Sequence, residues 1–141
     1  MSALGLDGAA GKAGHLKKEA PDKKEFGDMV DSAKKRLADS LNEQLSLDSR
    51  FDLAYNASYV LAQAAMRYRG YRPAGKRFIV FQALQHTMGF PPEIWRVLDK
   101  CHTQRNQVEY EGYFDVDEQL LKDLIRCTTM LEQAIGELPP L

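Results

Sequence analysis

Large apolar side chains recur every three or four positions along most of this chain, the spacing of one face of an α-helix. The first such stretch runs from about Lys24 to Leu45. Its apolar positions are Met29, Ala33, Leu37, Leu41 and Leu45. A second helix is predicted from Ser46 or Asp48, either of which can cap it, to about Arg69. Its stripe contains many small residues: Phe51, Ala54, Tyr55, Ser58, Leu61, Ala62, Ala65 and Met66.

Glycine and proline mark the boundaries of the next two helices. Gly70 suits the left-handed position that ends the second helix, and residues 71–76 are predicted to form a loop. A third helix is predicted over residues 76–88, before Gly89. Its buried side is expected to carry Phe78, Phe81, Leu84, Gln85 and Met88. The fourth helix should begin at residues 91–93, Pro-Pro-Glu, because proline is tolerated in a first turn and glutamate favours the positive dipole end.

The fifth helix is predicted to begin at Asp115, whose spacing to Glu118 resembles a capping box, and to end near Ile135. No segment shows convincing period-two alternation. Residues 78–81 could form a buried strand, but their helical spacing and the lack of a partner strand favour a helix. The pattern therefore predicts an all-α, up-down bundle of about five helices.

Length and composition indicate one soluble domain. The 141 residues suffice for a single core, and residues 1–22, rich in Gly, Ala, Lys and Asp, are expected to be a flexible tail before a bundle domain over residues 23–141. No apolar run reaches membrane-spanning length and no signal peptide is evident, so we expect a cytoplasmic protein without membrane contact. Cys101 and Cys127 fit small buried thiols in a reducing compartment. With a net charge of −1, only local patches can attract nucleic acid.

A polar cluster interrupts the apolar stripe of the fourth helix. Arg105 falls on the stripe formed by Ile94, Leu98, Cys101 and Val108. Asn106 is adjacent to it, and His102 lies one turn earlier. A guanidinium facing a core or an interface is costly unless it is paired. The cluster either fixes helix packing or forms a functional site.

A second candidate site is a basic segment around the loop that follows the second helix. Its cations are Arg67, Arg69, Arg72, Lys76 and Arg77. Tyr68 and Tyr71 lie between them, so the segment could hold phosphates and stack bases. The alternative is a solvated helix end, where cations favour the dipole. That alternative fits Arg67 and Arg69 but not Lys76 and Arg77, which open the next helix.

The chain resembles the HEPN superfamily of helical bundles over about residues 28–136. The resemblance rests on residues 105–112, Arg-Asn-Gln-Val-Glu-Tyr-Glu-Gly, near the end of the penultimate long helix. It rests also on residues 54–57, Ala-Tyr-Asn-Ala, followed by Leu-Ala and then by residues 69–72, Arg-Gly-Tyr-Arg. It implies a homodimer with Arg105 near the two-fold seam. It also implies either RNA cleavage or a silent module that binds RNA, a nucleotide, a nucleotidyltransferase or an antitoxin.

One departure from the superfamily pattern favours the silent module. Active members carry a histidine four to six residues after the arginine, whereas no histidine follows Arg105 in this chain. Metal-independent RNA cleavage needs a base for the 2′-hydroxyl and a cation for the developing charge. Arg105, with Asn106 beside it, can supply the cation. The base would have to be His102, Glu109 or Tyr110. Two alternatives stay open: an endoribonuclease with a non-standard base, and a regulatory protein-interaction bundle without nucleic acid.

No cofactor or metal is expected. The residues able to bind a metal are His86, His102, Cys101 and Cys127. No pair of them has the close spacing of zinc ligands, and adjacent residues on a helix point to different faces.

Overall fold

The computed structural model describes residues 16–74, 79–111 and 116–141, without the side chains of residues 107–111. These ranges contain four long helices, two one-turn helices and one two-stranded sheet. In chain order the elements are β1 Leu16–Lys18, α1 Lys23–Ser40, α2 Leu47–Tyr68, β2 Tyr71–Pro73, α3 Ile79–Gln82, α4 Leu84–Thr87, α5 Pro92–Glu111 and α6 Glu118–Gly136. The predicted all-α bundle of about five helices is confirmed, with α3 and α4 in place of the single third helix.

Local sequence signals fix several boundaries as predicted. Ser46 caps α2, its hydroxyl oxygen accepting a hydrogen bond from the Ser49 amide at 3.1 Å. Gly70 and Gly89 follow α2 and α4 with φ angles of +88° and +66°, in the left-handed region that glycine enters at little cost. Proline is tolerated in a first turn, and α5 begins at Pro92.

Other boundaries differ from the prediction. Helix α1 ends at Ser40, whose hydroxyl donates to the Leu37 carbonyl at 2.6 Å, so Leu41 and Leu45 leave the apolar face and are exposed. Asp117 caps α6, with its carboxylate accepting from the Gln119 amide. The predicted cap, Asp115, lies outside the described residues.

The predicted third helix is shorter and divided. It forms α3 and α4 on either side of Ala83, and Gln85 is exposed, contrary to the expected buried position. Its expected first residues, 76–78, lie outside the described ranges. Because each piece is a single turn, packing against α2 and α5 sets their course more than helix propensity does.

Two short strands were not predicted from the pattern. Strand β1 pairs antiparallel with β2 in the register Leu16 to Pro73, Lys17 to Arg72 and Lys18 to Tyr71. Three residues show too little alternation to detect, and β2 ends on a proline, which sequence rules assign to loops or edges. Leu16 is almost fully buried, so the expected tail is anchored to the domain from residue 16 onward by this strand. Residues 1–15 lie outside the described part.

Helix α2 is the centre of the bundle. It contacts each of the other helices and β2. Its small side chains are completely buried or nearly so: Ala54, Ala57, Ala62, Ala64 and Ala65. Small residues allow neighbouring helices to approach closely, while Phe51, Leu61 and Met66 fill the remaining space, each contributing about 1.5–3 kcal/mol by burial. Within the described ranges, no helix is both long and apolar enough to cross a membrane.

Candidate functional site

His102 is held between α5 and α2 by hydrogen bonds at both ring nitrogens. Its Nδ1 lies 2.8 Å from the Tyr55 hydroxyl, and its Nε2 lies 3.2 Å from Nδ2 of Asn106. An amide nitrogen only donates, so this arrangement makes Nε2 the acceptor and Nδ1 the N–H donor of a neutral ring. The ring is 9% exposed, stacks on Tyr55 and packs against Phe81. His102 is therefore a buried packing residue with both nitrogens in use.

Arg105 forms an ion pair one turn further along α5. Its Nε lies 3.0 Å from Oδ1 of Asp52 on α2, and the two side chains are 31% and 53% exposed. Because Asp52 precedes Tyr55 by one turn and Arg105 follows His102 by one turn, the two contacts show that α2 and α5 run antiparallel. A pair this exposed contributes about 0–1 kcal/mol to stability. Its main effect is to neutralise the guanidinium with a carboxylate of the same chain.

The structure brings together three of the five predicted catalytic residues, His102, Arg105 and Asn106, on adjacent turns of α5. The side chains of Glu109 and Tyr110 lie outside the described residues. A general base must reach the proton it removes. His102 is buried and forms two hydrogen bonds within the chain, so it is not placed to remove a proton from a substrate. Arg105 already has a carboxylate partner.

The α2 partners of this cluster were not predicted as site residues. Tyr55 was placed in the core stripe, and Asp52 was not singled out. Both lie on the α2 face that meets α5, so the period of α2 was a usable signal once the two helices were paired. Burial raises the pKa of Asp99, one turn before His102 on α5.

Arg67, in the predicted phosphate-binding segment, is one of the most deeply buried polar side chains. It is 2% exposed. Its Nε lies 2.6 Å from Oε1 of Glu25, and its other nitrogens donate to the backbone carbonyls of Glu19, Ala20 and Tyr71 at 2.7–3.2 Å. Arg67 thus ties the end of α2 to the segment before α1, and it offers no surface charge.

Arg72 on β2 shares the same two glutamates. Its Nη2 lies 2.6 Å from Oε2 of Glu19 and 2.8 Å from Oε2 of Glu25. These four side chains, Arg67, Arg72, Glu19 and Glu25, form what we call the Arg–Glu cluster. The Arg72 hydrogen bond lowers the pKa of Glu19, while those from Arg67 and then Arg72 lower the pKa of Glu25. The charges of the two guanidinium groups and the two carboxylates cancel, so the cluster has no net charge.

The other cations of the basic segment are distributed differently. Arg69 donates from Nε to the Thr87 carbonyl at 3.0 Å and lies 5.0 Å from the centre of the Tyr68 ring. Lys76 and Arg77 lie outside the described residues. Sequence reasoning missed Glu19 and Glu25 because they lie more than forty positions before Arg67 and Arg72. Glu19 belongs to the expected tail, and Glu25 lies in the first turn of α1.

Neither cysteine is poised for chemistry. Cys101 and Cys127 are free thiols and completely buried. Burial raises the pKa of Cys101 to about 12 and also raises the pKa of Cys127. In the part of the chain that is described, no three His, Cys, Asp or Glu side chains are grouped to hold a metal ion.

A groove between α1 and α6 is the remaining candidate. Its volume is about 310 Å³, and its lining residues are Lys34, Leu37, Ala38, Leu41, Thr129 and Glu132. We call it the α1–α6 groove. Leu41 is 55% exposed, and Met130, which follows Thr129, is 40% exposed. This groove was not predicted, because helical spacing assigned Leu41 to the core.

No protein-family description, no curated protein and no solved structure matches this chain.

Proposed function

We propose that this chain is a non-catalytic helical module that binds another protein through the α1–α6 groove. The observation that carries the proposal is a contrast between charge and apolar surface. Three arginines singled out by the sequence, Arg67, Arg72 and Arg105, are paired with carboxylates of the same chain. Leu41, in contrast, exposes more than half of its surface beside an open groove.

Internal pairing argues against a nucleic-acid partner at these positions. Binding of phosphates is driven by the release of counterions from lysine and arginine, and each phosphate contact needs an available cation. A phosphate at Arg67 or Arg72 would have to displace Glu19 or Glu25. The chain's net charge of −1 supplies no compensating attraction.

The contacts of His102 argue against RNA cleavage. The histidine nearest to Arg105 is buried and hydrogen-bonded to Tyr55 and Asn106. If His102 turned toward a substrate, it would break its buried hydrogen bond to the Tyr55 hydroxyl, at a cost of about 1–3 kcal/mol. The cluster is therefore better suited to fixing the contact between α2 and α5 than to moving a proton.

The α1–α6 groove has the composition of a protein-docking surface. Half of its lining residues are apolar (Leu37, Ala38 and Leu41), and Lys34 and Glu132 supply one charge of each sign. Protein interfaces combine an apolar centre with a polar rim in this way, and helical segments commonly dock their apolar face into such grooves. The resemblance to HEPN bundles agrees with a silent binding module, and an antitoxin or a nucleotidyltransferase stays a prediction for the partner.

Site-specific photocrosslinking tests the proposal. A benzophenone amino acid is placed at Leu41 and, as a matched control, at Lys100, which is exposed on α5. Irradiation in the cells that make this protein should give covalent protein adducts from position 41 and none from position 100. Adducts to RNA from both positions, or no protein adduct from position 41, would overturn the proposal.

A further inference from the structure

We infer that the occupant of the α1–α6 groove is a second copy of this chain, related to the first by a two-fold axis beside Leu41. The inference rests on the proposed function, because it names the partner of the same groove. It places the two-fold seam on α1 and α6, whereas the superfamily resemblance led us to expect it at Arg105. No α5 residue lines the groove.

An exposed leucine forms part of the groove lining. The exposed large hydrophobic residues of the described ranges are Leu41, Leu45, Leu47, Met130 and Leu141. Leu41 lines the groove, and Met130 adjoins a groove residue in sequence. Leu45 and Leu47 follow Leu41, in the connection after α1 and at the first residue of α2. Isolated apolar residues are ordinary on a protein surface, whereas an exposed leucine in the lining of an open groove adds apolar surface that a partner can bury.

The charges of the groove make it complementary to itself. Lys34 stands on the α1 wall and Glu132 on the α6 wall, and no ion pair involving either is found among the described residues. A two-fold interface brings the same patch together from both copies, so residue i meets residue j and j meets i. In the proposed dimer, Lys34 of each copy faces Glu132 of the partner subunit, and both pairs form at once.

The apolar contact follows the same symmetry. Leu41 follows the last residue of α1 and is more than half exposed, so its side chain is available to contact a neighbouring molecule. The two-fold axis then buries both copies of Leu41, each against the Leu37 and Ala38 of the partner subunit. With a net charge of −1 per chain, repulsion between two copies is small.

A charge-exchange series measured by sedimentation equilibrium on the full chain tests the inference. Wild type should show a concentration-dependent monomer–dimer equilibrium. Lys34→Glu and Glu132→Lys should each raise the dimer dissociation constant about tenfold or more, because each replaces two attractive pairs with two repulsive ones. The double variant exchanges the signs and should return the constant toward the wild-type value. Leu41→Asp should abolish the dimer, and Lys100→Glu on α5 should leave it unchanged.

The outcomes that overturn the inference are specific. A wild-type chain that is monomeric at every concentration overturns it, as does a double variant that dimerises no better than the single variants. Circular dichroism of each variant confirms that the helices are retained. If the chain is monomeric while the probe at Leu41 captures a different protein, this inference fails and the proposed function stands. If position 41 captures no protein, both fail.

Discussion

The Nε atom of Arg105 lies 3.0 Å from Oδ1 of Asp52, across the contact between α5 and α2. One turn along both helices, the Tyr55 hydroxyl meets Nδ1 of His102 at 2.8 Å. The apolar stripe of α5 predicts that this arginine needs a negative partner. The partner is a carboxylate of the same chain, so the need does not by itself require a substrate or a second subunit.

Removing the Tyr55 hydroxyl should weaken the bundle. Tyr55→Phe leaves His102 Nδ1 without its partner in a buried position, and we expect the free energy of unfolding to fall by about 1–3 kcal/mol. Urea unfolding followed by circular dichroism measures this change. Tyr68→Phe is the matched control, because the hydrogen bond from Tyr68 to the Pro139 carbonyl is exposed and water can replace it. Equal losses in the two variants would contradict a special role for the His102 contact.

Arg67→Ala should be among the most destabilising single changes. It removes a buried guanidinium that donates to three backbone carbonyls and to Glu25. Breaking a buried pair by deleting one partner costs about 3–5 kcal/mol. The control is Arg126→Ala, since Arg126 is more than half exposed and lies 3.8 Å from Asp123; its expected change is within about 0.5 kcal/mol. Similar urea midpoints for the two variants would show that the contacts of Arg67 do not stabilise the fold.

The Arg–Glu cluster should make the fold sensitive to acid. The pKa values of Glu19 and Glu25 lie below their ordinary value of 4.5, so the folded state releases protons that the unfolded state still binds. This contribution is complete above pH 4.5 and is lost as the pH falls through 4.5 toward the lower folded-state values. The free energy of unfolding of wild type should fall more steeply with decreasing pH than that of Glu25→Gln.

The control for this acid effect is Glu43→Gln, in the exposed connection between α1 and α2. It should keep the wild-type slope of unfolding free energy against pH. A Glu25→Gln slope that matches the wild type would show that the cluster does not link protons to folding.

The two cysteines should resist modification in the folded protein. Burial disfavours the thiolate of Cys101 and Cys127, and thiolate is the reactive form. At a pH near the ordinary thiol pKa of about 8.5, a disulfide reagent should react slowly with the native protein and rapidly after denaturant is added. Rapid reaction of either thiol in the folded chain would contradict the burial described for it.

Signals close in sequence predicted much of the fold. Ser46, Gly70, Gly89 and Pro92 fix helix boundaries through their own backbone and hydrogen-bonding preferences, which do not depend on distant partners. The end of α1 was misplaced because Leu41 continues the apolar spacing although the helix stops at Ser40. Periodicity identifies residues that can face a core, and it does not decide which of them leave the helix.

Contacts between distant parts of the chain account for what the sequence did not reveal. Arg67 was identified as a cation and assigned to a surface segment. Its burial depends on Glu25 and on the carbonyl of Glu19, which are 42 and 48 positions away. The pairing of β1 with β2 has the same origin, since neither three-residue strand has a recognisable pattern until the other lies beside it.

The most direct test of the account is a titration of fluorescently labelled single-stranded RNA with the purified full chain, repeated over a range of salt concentrations. If the arginines are neutralised within the chain, binding should be weak even at low salt, the affinity should change little with salt, and the RNA should stay intact. Tight binding with a steep salt dependence, or RNA cleavage that Arg105→Ala abolishes while the variant stays folded, would contradict it.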